Sequence, residues 1–195
     1  AMRPMMKGAD GLVALNARHP GKLTIRVSLD HYSKPLHELS RGAHSWDTAI
    51  MGLRWLRDEG FNIDVAGRTC WSESEAQLRA GFARLFAGEK LSVDARDPVH
   101  LTLFPEMDAD ADVPEITEAC WGILGVAPSS MMCASSRMVI KRKGAAIPVI
   151  APCTLLPYEE SLEMGATLSE AAGAVKLNHP HCAKFCVLGG GSCSG

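Results

Sequence analysis

The chain has 195 residues, 47% of them hydrophobic and 22% charged. That is enough apolar material for one ordinary domain, or a small domain with an appendage, and it excludes disorder by composition. Lys plus Arg is 20 and Asp plus Glu is 22, giving a net charge of -2, which argues against nucleic acid as the main partner.

No apolar run reaches the ~20 residues of a membrane span, so no membrane partner is expected. The N-terminus lacks the apolar core of a signal peptide, and a cytoplasmic location follows as the expectation. Ala1 before Met2 reads as a vector scar, and the residues after it lead into a short helix-like stretch.

Residues 23 to 30 alternate, with Leu23, Ile25, Val27 and Leu29 on one face and Thr24, Arg26, Ser28 and Asp30 on the other. This is a strand pattern. A loop rich in His and Pro is expected up to Arg41 and Gly42. Ser45 is a cap candidate for a helix from Trp46 to about Glu59, with Trp46, Ile50, Leu53 and Leu56 on one stripe. A second strand is predicted over roughly Phe61 to Thr69. Ser72 and Glu75 match a capping box for the next helix, which carries Leu78, Phe82 and Leu85 and closes at Gly88. A third strand is predicted over His100 to Phe104, and a further helix over Pro114 to Leu124.

Strands alternating with helices imply βα units and a parallel sheet, so the fold class is α/β. The polar alternate faces of the three strands are compatible with a barrel or half-barrel around a polar interior, and equally with an open sheet with one wet face. Three parallel strands do not close a barrel, and an open sheet leaves two edges exposed.

The last third changes character. Ser136 to Lys141 and Ile147 to Ala151 read as two strands joined by a turn at Lys143 and Gly144. An antiparallel hairpin would bring Cys133, before the first strand, close to Cys153, after the second. Cys182, Cys186 and Cys193 follow in a Gly-rich segment. Five thiols gathered in one segment point to metal. Four thiolates hold a [4Fe-4S] cluster or a structural zinc. The spacing is not that of a zinc ribbon, which favours iron and sulfide. His179 and His181 are possible substitute ligands, while Cys70 and Cys120 read as packing residues.

Other polar residues have plain readings. Asp108, Asp110 and Asp112 lack the Gly and terminal Glu of a calcium loop and read as a solvated acidic segment. Met131 and Met132 read as core. His31, His37 and His44 read as surface residues. No phosphate loop and no Gly-x-Ser-x-Gly elbow is present, and no catalytic residue is assigned.

The run Ile25 to Asp30, then Arg41-Gly42, then Ser45-Trp46-Asp47, resembles the radical S-adenosylmethionine (radical SAM) enzymes, whose middle barrel strand ends in Ser-Leu-Asp. The pattern of Cys133, Gly144, Cys153 and the tail Cys182, Cys186 and Cys193 resembles the twitch or SPASM auxiliary-cluster extension of the same enzymes. The tail has Cys-x-x-x-Cys where that family often has Cys-x-x-Cys. The two resemblances cover most of the chain and occur in the family's order.

The resemblance implies a partial (β/α) radical-SAM-type barrel over residues 1–127 and a small Cys-rich β-hairpin domain over 128–195. It implies that Ser28 and Asp30 lie near S-adenosylmethionine and that Arg41 reaches the cofactor's carboxylate. It implies an auxiliary [4Fe-4S] cluster on four of Cys133, Cys153, Cys182, Cys186 and Cys193. The family's Cys-x-x-x-Cys-x-x-Cys loop, which holds the cluster that cleaves S-adenosylmethionine, does not occur in the sequence.

The chain therefore reads as the second half of such an enzyme, inactive alone. Its parent would act by radical modification of a peptide or small-molecule substrate. The alternative is a stand-alone structural module binding zinc or iron-sulfur. Such a free-standing module would cover its exposed strand edges by forming a homodimer through the open half-barrel.

Overall fold

The computed structural model describes residues 2–108 and 110–189. The chain forms two compact units that meet between Glu106 and Met107 in sequence. Residues 107–127, expected to go with the barrel-like part, group instead with the cysteine-rich part.

The first unit begins with two helices, α1 (Met2–Lys7) and α2 (Ala9–Arg18). Strand β1 (Thr24–Ser28) follows, then α3 (Lys34–Arg41), α4 (Ser45–Asp58), β2 (Asn62–Arg68), α5 (Glu75–Gly88) and β3 (Leu101–Phe104). The strands form one parallel sheet in the order β1-β2-β3. Val27 of β1 pairs with Val65 of β2, and Val65 pairs in turn with Leu101 of β3. The alternation of helix and strand thus gives the mixed α/β architecture, because parallel neighbours need a crossover.

Three local expectations are corrected. The stretch before Arg41 is not a loop but α3: Ser33 precedes it, and Pro35 sits in its first turn, where a missing N–H costs nothing. Ser45 is not the cap of α4 but its first residue; His44 holds the cap position in the left-handed region at φ 65°, and Ser45 Oγ bonds back to Gly42 O at 2.6 Å. The capping box of α5 is built from Ser74 and Gln77 rather than Ser72 and Glu75, with Ser74 Oγ accepting from Gln77 N and Gln77 Oε1 accepting from Ser74 N. Both pairs match the same four-residue pattern, and the pair that directly precedes the apolar stripe forms the box.

The core gathers Leu29, Leu53, Leu56, Val65, Leu78, Phe82 and Leu101, each fully enclosed. Ile50, Leu53 and Leu56 are the buried stripe of α4, as their spacing predicts, and Trp46 packs against the edge of the same cluster. The alternate face is wet along β1, where Thr24 and Ser28 are exposed, and closes across the sheet towards β3. Leu101, Thr102 and Leu103 are all buried, and buried Asp64 pairs with Arg26 at 3.0 Å. Burial on both faces of β3 is what a helix-flanked parallel strand requires.

The second unit contains α6 (Ala119–Leu124), α7 (Met132–Ser135), β4 (Met138–Ile140) and β5 (Val149–Ala151). The helix expected from Pro114 starts only at Ala119; β-branched Ile116 and Thr117 are weak formers of a first turn. Strands β4 and β5 form the expected antiparallel hairpin, with Val139 opposite Ile150 and Gly144 at φ 82° in the connection. Pairing is shorter than predicted, and Pro148, which has no N–H to give a ladder, immediately precedes β5. Met131 is buried, as expected, and Asp108, Asp110 and Asp112 are exposed. Among the described residues no helix is long and apolar enough to cross a membrane.

Candidate metal centre

The hairpin positions the first two thiols. Cys133 lies on α7, just before β4, and Cys153 stands two residues after β5. The next two lie on one helical turn, Cys182–Val187, wound as a π-helix. Leu188 N donates to Ala183 O at 2.8 Å, across five residues instead of four. Cys133, Cys153, Cys182 and Cys186 line one small cavity whose other walls include Leu156, Leu162, Val175 and Leu177. Cys182 is buried and the other three are half-buried; no disulfide joins the described cysteines. Cys193 lies outside the described residues. Cys70 and Cys120, expected as packing residues, do not join the cavity: Cys70 is exposed, a correction to that reading, and Cys120 is half-buried with its Sγ accepting from Thr117 N at 3.4 Å.

The thiols act on one another. Burial pushes the Cys133 thiol above its ordinary value, and the neighbouring Cys153 adds to the shift. Burial also raises Cys182; a backbone hydrogen bond from the His179 region opposes this, and Cys153 and Cys133 reinforce it. Several thiolates facing one apolar cavity repel one another and are poorly solvated, so the anionic state needs a cation among them. A metal or cluster would supply that charge.

Among the described residues no three His, Cys, Asp or Glu side chains close on a single ion. Four thiolates round one tetrahedral zinc must converge on ~2.3 Å bonds to a common point. Four thiolates round a [4Fe-4S] cluster each bind a different iron and stand further apart.

The two histidines near the turn differ. His179 Nδ1 accepts from His181 N at 3.1 Å, and the two rings meet edge to face at 4.6 Å. Both ring nitrogens of His181 are shielded and have no hydrogen-bond partner among the described residues. Burial, and then His179, lower the His181 pKa. Neither ring lines the thiol cavity.

On its other side Cys133 borders a groove of about 800 Å³, which shares Cys133, Val175, Lys176 and Leu177 with the thiol cavity. Trp121, Met131 and Arg137 also line it. Arg137 was not singled out by the sequence. Its Nη1 donates to Cys133 O at 2.6 Å and Ser136 O at 2.8 Å, its Nε to Ala171 O at 2.8 Å, and its Nη2 to Gly173 O at 3.1 Å. The only signal was an Arg four residues after the first hairpin Cys. The carbonyls that use it most distantly lie 34 and 36 residues away.

In the first unit the structure brings Asp30 and Arg41 together. Asp30 is buried; its Oδ1 accepts from Arg41 Nε at 2.8 Å and its Oδ2 from Ser40 Oγ at 2.7 Å. Its backbone N donates to His37 Nδ1 at 3.1 Å, and its O accepts from Trp71 Nε1 at 3.2 Å. Ser28, at the end of β1, is exposed. Asp30 is thus the hub that ties β1 to α3.

His31 and His37, expected at the surface, are each 1% exposed. His31 Nδ1 accepts from Ser33 N at 2.9 Å, so its Nε2 carries the proton and donates to Glu73 Oε2 at 2.7 Å. Tyr32 donates to the other oxygen of Glu73 at 2.5 Å. These partners are 41 and 42 residues away in the chain, which is why the sequence does not reveal the burial. His44 is exposed.

No protein-family model, curated protein or solved structure matches the chain.

Proposed function

We propose that this chain is an iron-sulfur protein, with a [4Fe-4S] cluster held by Cys133, Cys153, Cys182 and Cys186, and that it carries the auxiliary-cluster region of a radical SAM-type enzyme. The observation that carries the reading is the single apolar cavity lined by these four thiols from two separate parts of the sequence. The spacing of the cysteines, which is not that of a zinc ribbon, favours a cluster over zinc. When bound, such a cluster supplies one-electron transfer, or an iron site to a ligand.

The chain's own residues have definable tasks in this reading. The hairpin holds Cys133 and Cys153 in register, and the widened turn presents Cys182 and Cys186 to the same cavity. Leu156, Leu162 and Leu177 keep water from the thiolates, which raises the effect of every nearby charge. The groove beside Cys133 is of a size that takes a small molecule or a short peptide segment, and supports a substrate-binding role. In the first unit, the three parallel strands with their helices support a partial radical-SAM-type barrel, with Ser28 and Asp30 at the end of β1, and Arg41 at the end of α3, that would face S-adenosylmethionine.

The test is metal and sulfide content after anaerobic purification. About four iron and four sulfide per chain, lost on Cys133→Ala or Cys153→Ala, is the expected result. One zinc without sulfide, or no metal, overturns the reading. With no Cys-x-x-x-Cys-x-x-Cys run in these 195 residues, dithionite and S-adenosylmethionine should yield no 5′-deoxyadenosine. Its formation would contradict the assignment of an auxiliary rather than a catalytic cluster.

A further inference from the structure

Arg137 spends its guanidinium in an unusual way. Four of its hydrogen bonds go to backbone carbonyls, at Cys133, Ser136, Ala171 and Gly173. An arginine has five N–H donors in one rigid plane, so nearly the whole fork is committed. No carboxylate among the described residues forms an ion pair with it. One planar group therefore joins α7, the entry to the hairpin, and the segment that leads into Val175 and Leu177 on the cavity wall.

The same group brings a positive charge, with no ion-paired acid among the described residues, to Cys133, one of the four residues shared by the thiol cavity and the groove. Its Nη1 stands 2.6 Å from the Cys133 carbonyl oxygen, so the charge lies beside that residue. Carbonyl oxygens orient the fork but do not cancel its unit charge.

We propose that Arg137 is a positioning residue of the metal centre, which fixes Cys133 and the facing wall and, through its charge, sets the reduction potential of the cluster. The proposal rests on the iron-sulfur reading. One-electron reduction adds one negative charge to the cluster and takes that electron from an external reductant such as dithionite. A fixed cation nearby stabilises the reduced form, so it raises the potential. Lysine retains the charge but cannot place donors on four carbonyls in one plane. Methionine retains much of the volume and loses both.

The experiment uses the full chain, reconstituted anaerobically with iron and sulfide, as wild type, Arg137→Lys and Arg137→Met. Iron and sulfide per chain, the electron paramagnetic resonance spectrum of the reduced protein and a redox titration are read on each. The expected result is a more than twofold fall in cluster content in both variants. The potential of what loads stays at the wild-type value in Arg137→Lys and moves to more negative values in Arg137→Met. Should Arg137→Met fail to fold, the lysine variant alone decides, by reduced loading at an unchanged potential. Full loading with unchanged potential in Arg137→Met, or an equal negative shift in Arg137→Lys, overturns the proposal and leaves the iron-sulfur reading standing. Iron absent from the wild type overturns that reading itself, and this proposal with it.

Discussion

Replacing Gly81 by alanine sets two ordinary effects against each other, and the structure decides the sign. Gly81 lies inside α5, where alanine is better by about 1 kcal/mol in helix propensity. A Cβ there would stand 2.2 Å from Tyr32 Cε1 and 2.3 Å from its Cδ1, far inside contact distance. The ring has little room to swing. Its hydroxyl is held by Glu73 at 2.5 Å, His31 lies against it at 4.1 Å, and Phe82 meets it edge to face at 6.0 Å.

Overpacking costs about 2 kcal/mol, and displacing a hydrogen bond to a charged acceptor about 2 more. Subtracting the propensity gain leaves a loss of about 3 kcal/mol. Urea unfolding followed by tryptophan emission measures it, since Trp46, Trp55 and Trp71 all belong to or pack on this core. In a Tyr32→Ala background the obstruction is gone, and the same change should stabilise by up to about 1 kcal/mol. A Gly81→Ala protein as stable as the wild type, or an equal loss in both backgrounds, would refute the reasoning.

Two further outcomes follow from the charges. Hydrogen bonds from Tyr32 and then His31 hold the Glu73 carboxyl below its ordinary value of 4.5, so the folded state binds its proton less readily than the unfolded chain. The stability this lends is complete above the ordinary glutamate range and is lost as pH falls through the lower folded value. The urea midpoint of the wild type should therefore drop more steeply between about pH 5 and pH 3 than that of Glu73→Gln; parallel curves would count against the network. Burial keeps Cys182 protonated above the usual thiol range, while Cys70 is exposed. In metal-free protein, mass spectrometry of a short iodoacetamide treatment near neutral pH should find Cys70 modified several-fold ahead of Cys182. Equal rates would mean that the apolar cavity does not protect its thiols.

The parts legible in the sequence are those written in local periodicity. Alternation at Leu23 to Asp30 and the stripe of Ile50, Leu53 and Leu56 depend only on spacing, and both elements form where the pattern puts them, within a residue or two. The gathering of Cys133 with Cys153 was legible because a hairpin with a Gly turn fixes which ends meet. Helix α3 was hidden because a Pro and a His within eight residues, after a His-containing turn, read as a loop, although Pro35 is a first-turn residue. The burial of His31, the crowding at Gly81 and the four carbonyls on Arg137 all depend on partners far along the chain. No window of neighbouring residues contains them.

The turn at Cys182–Val187 bears on how cysteine motifs are counted. A π turn carries more residues per revolution than an α turn, so a pair four apart can face one side there much as a pair three apart does on an ordinary helix. Cys182 and Cys186 both reach the same cavity in this way. The extra residue is absorbed by the winding of the backbone and not by a longer loop. Cys-x-x-x-Cys in this setting and Cys-x-x-Cys on a tighter helix are then one arrangement at two pitches. A pattern that fixes the number of intervening residues would treat them as unrelated, and a comparison by angular position round the axis would treat them as the same.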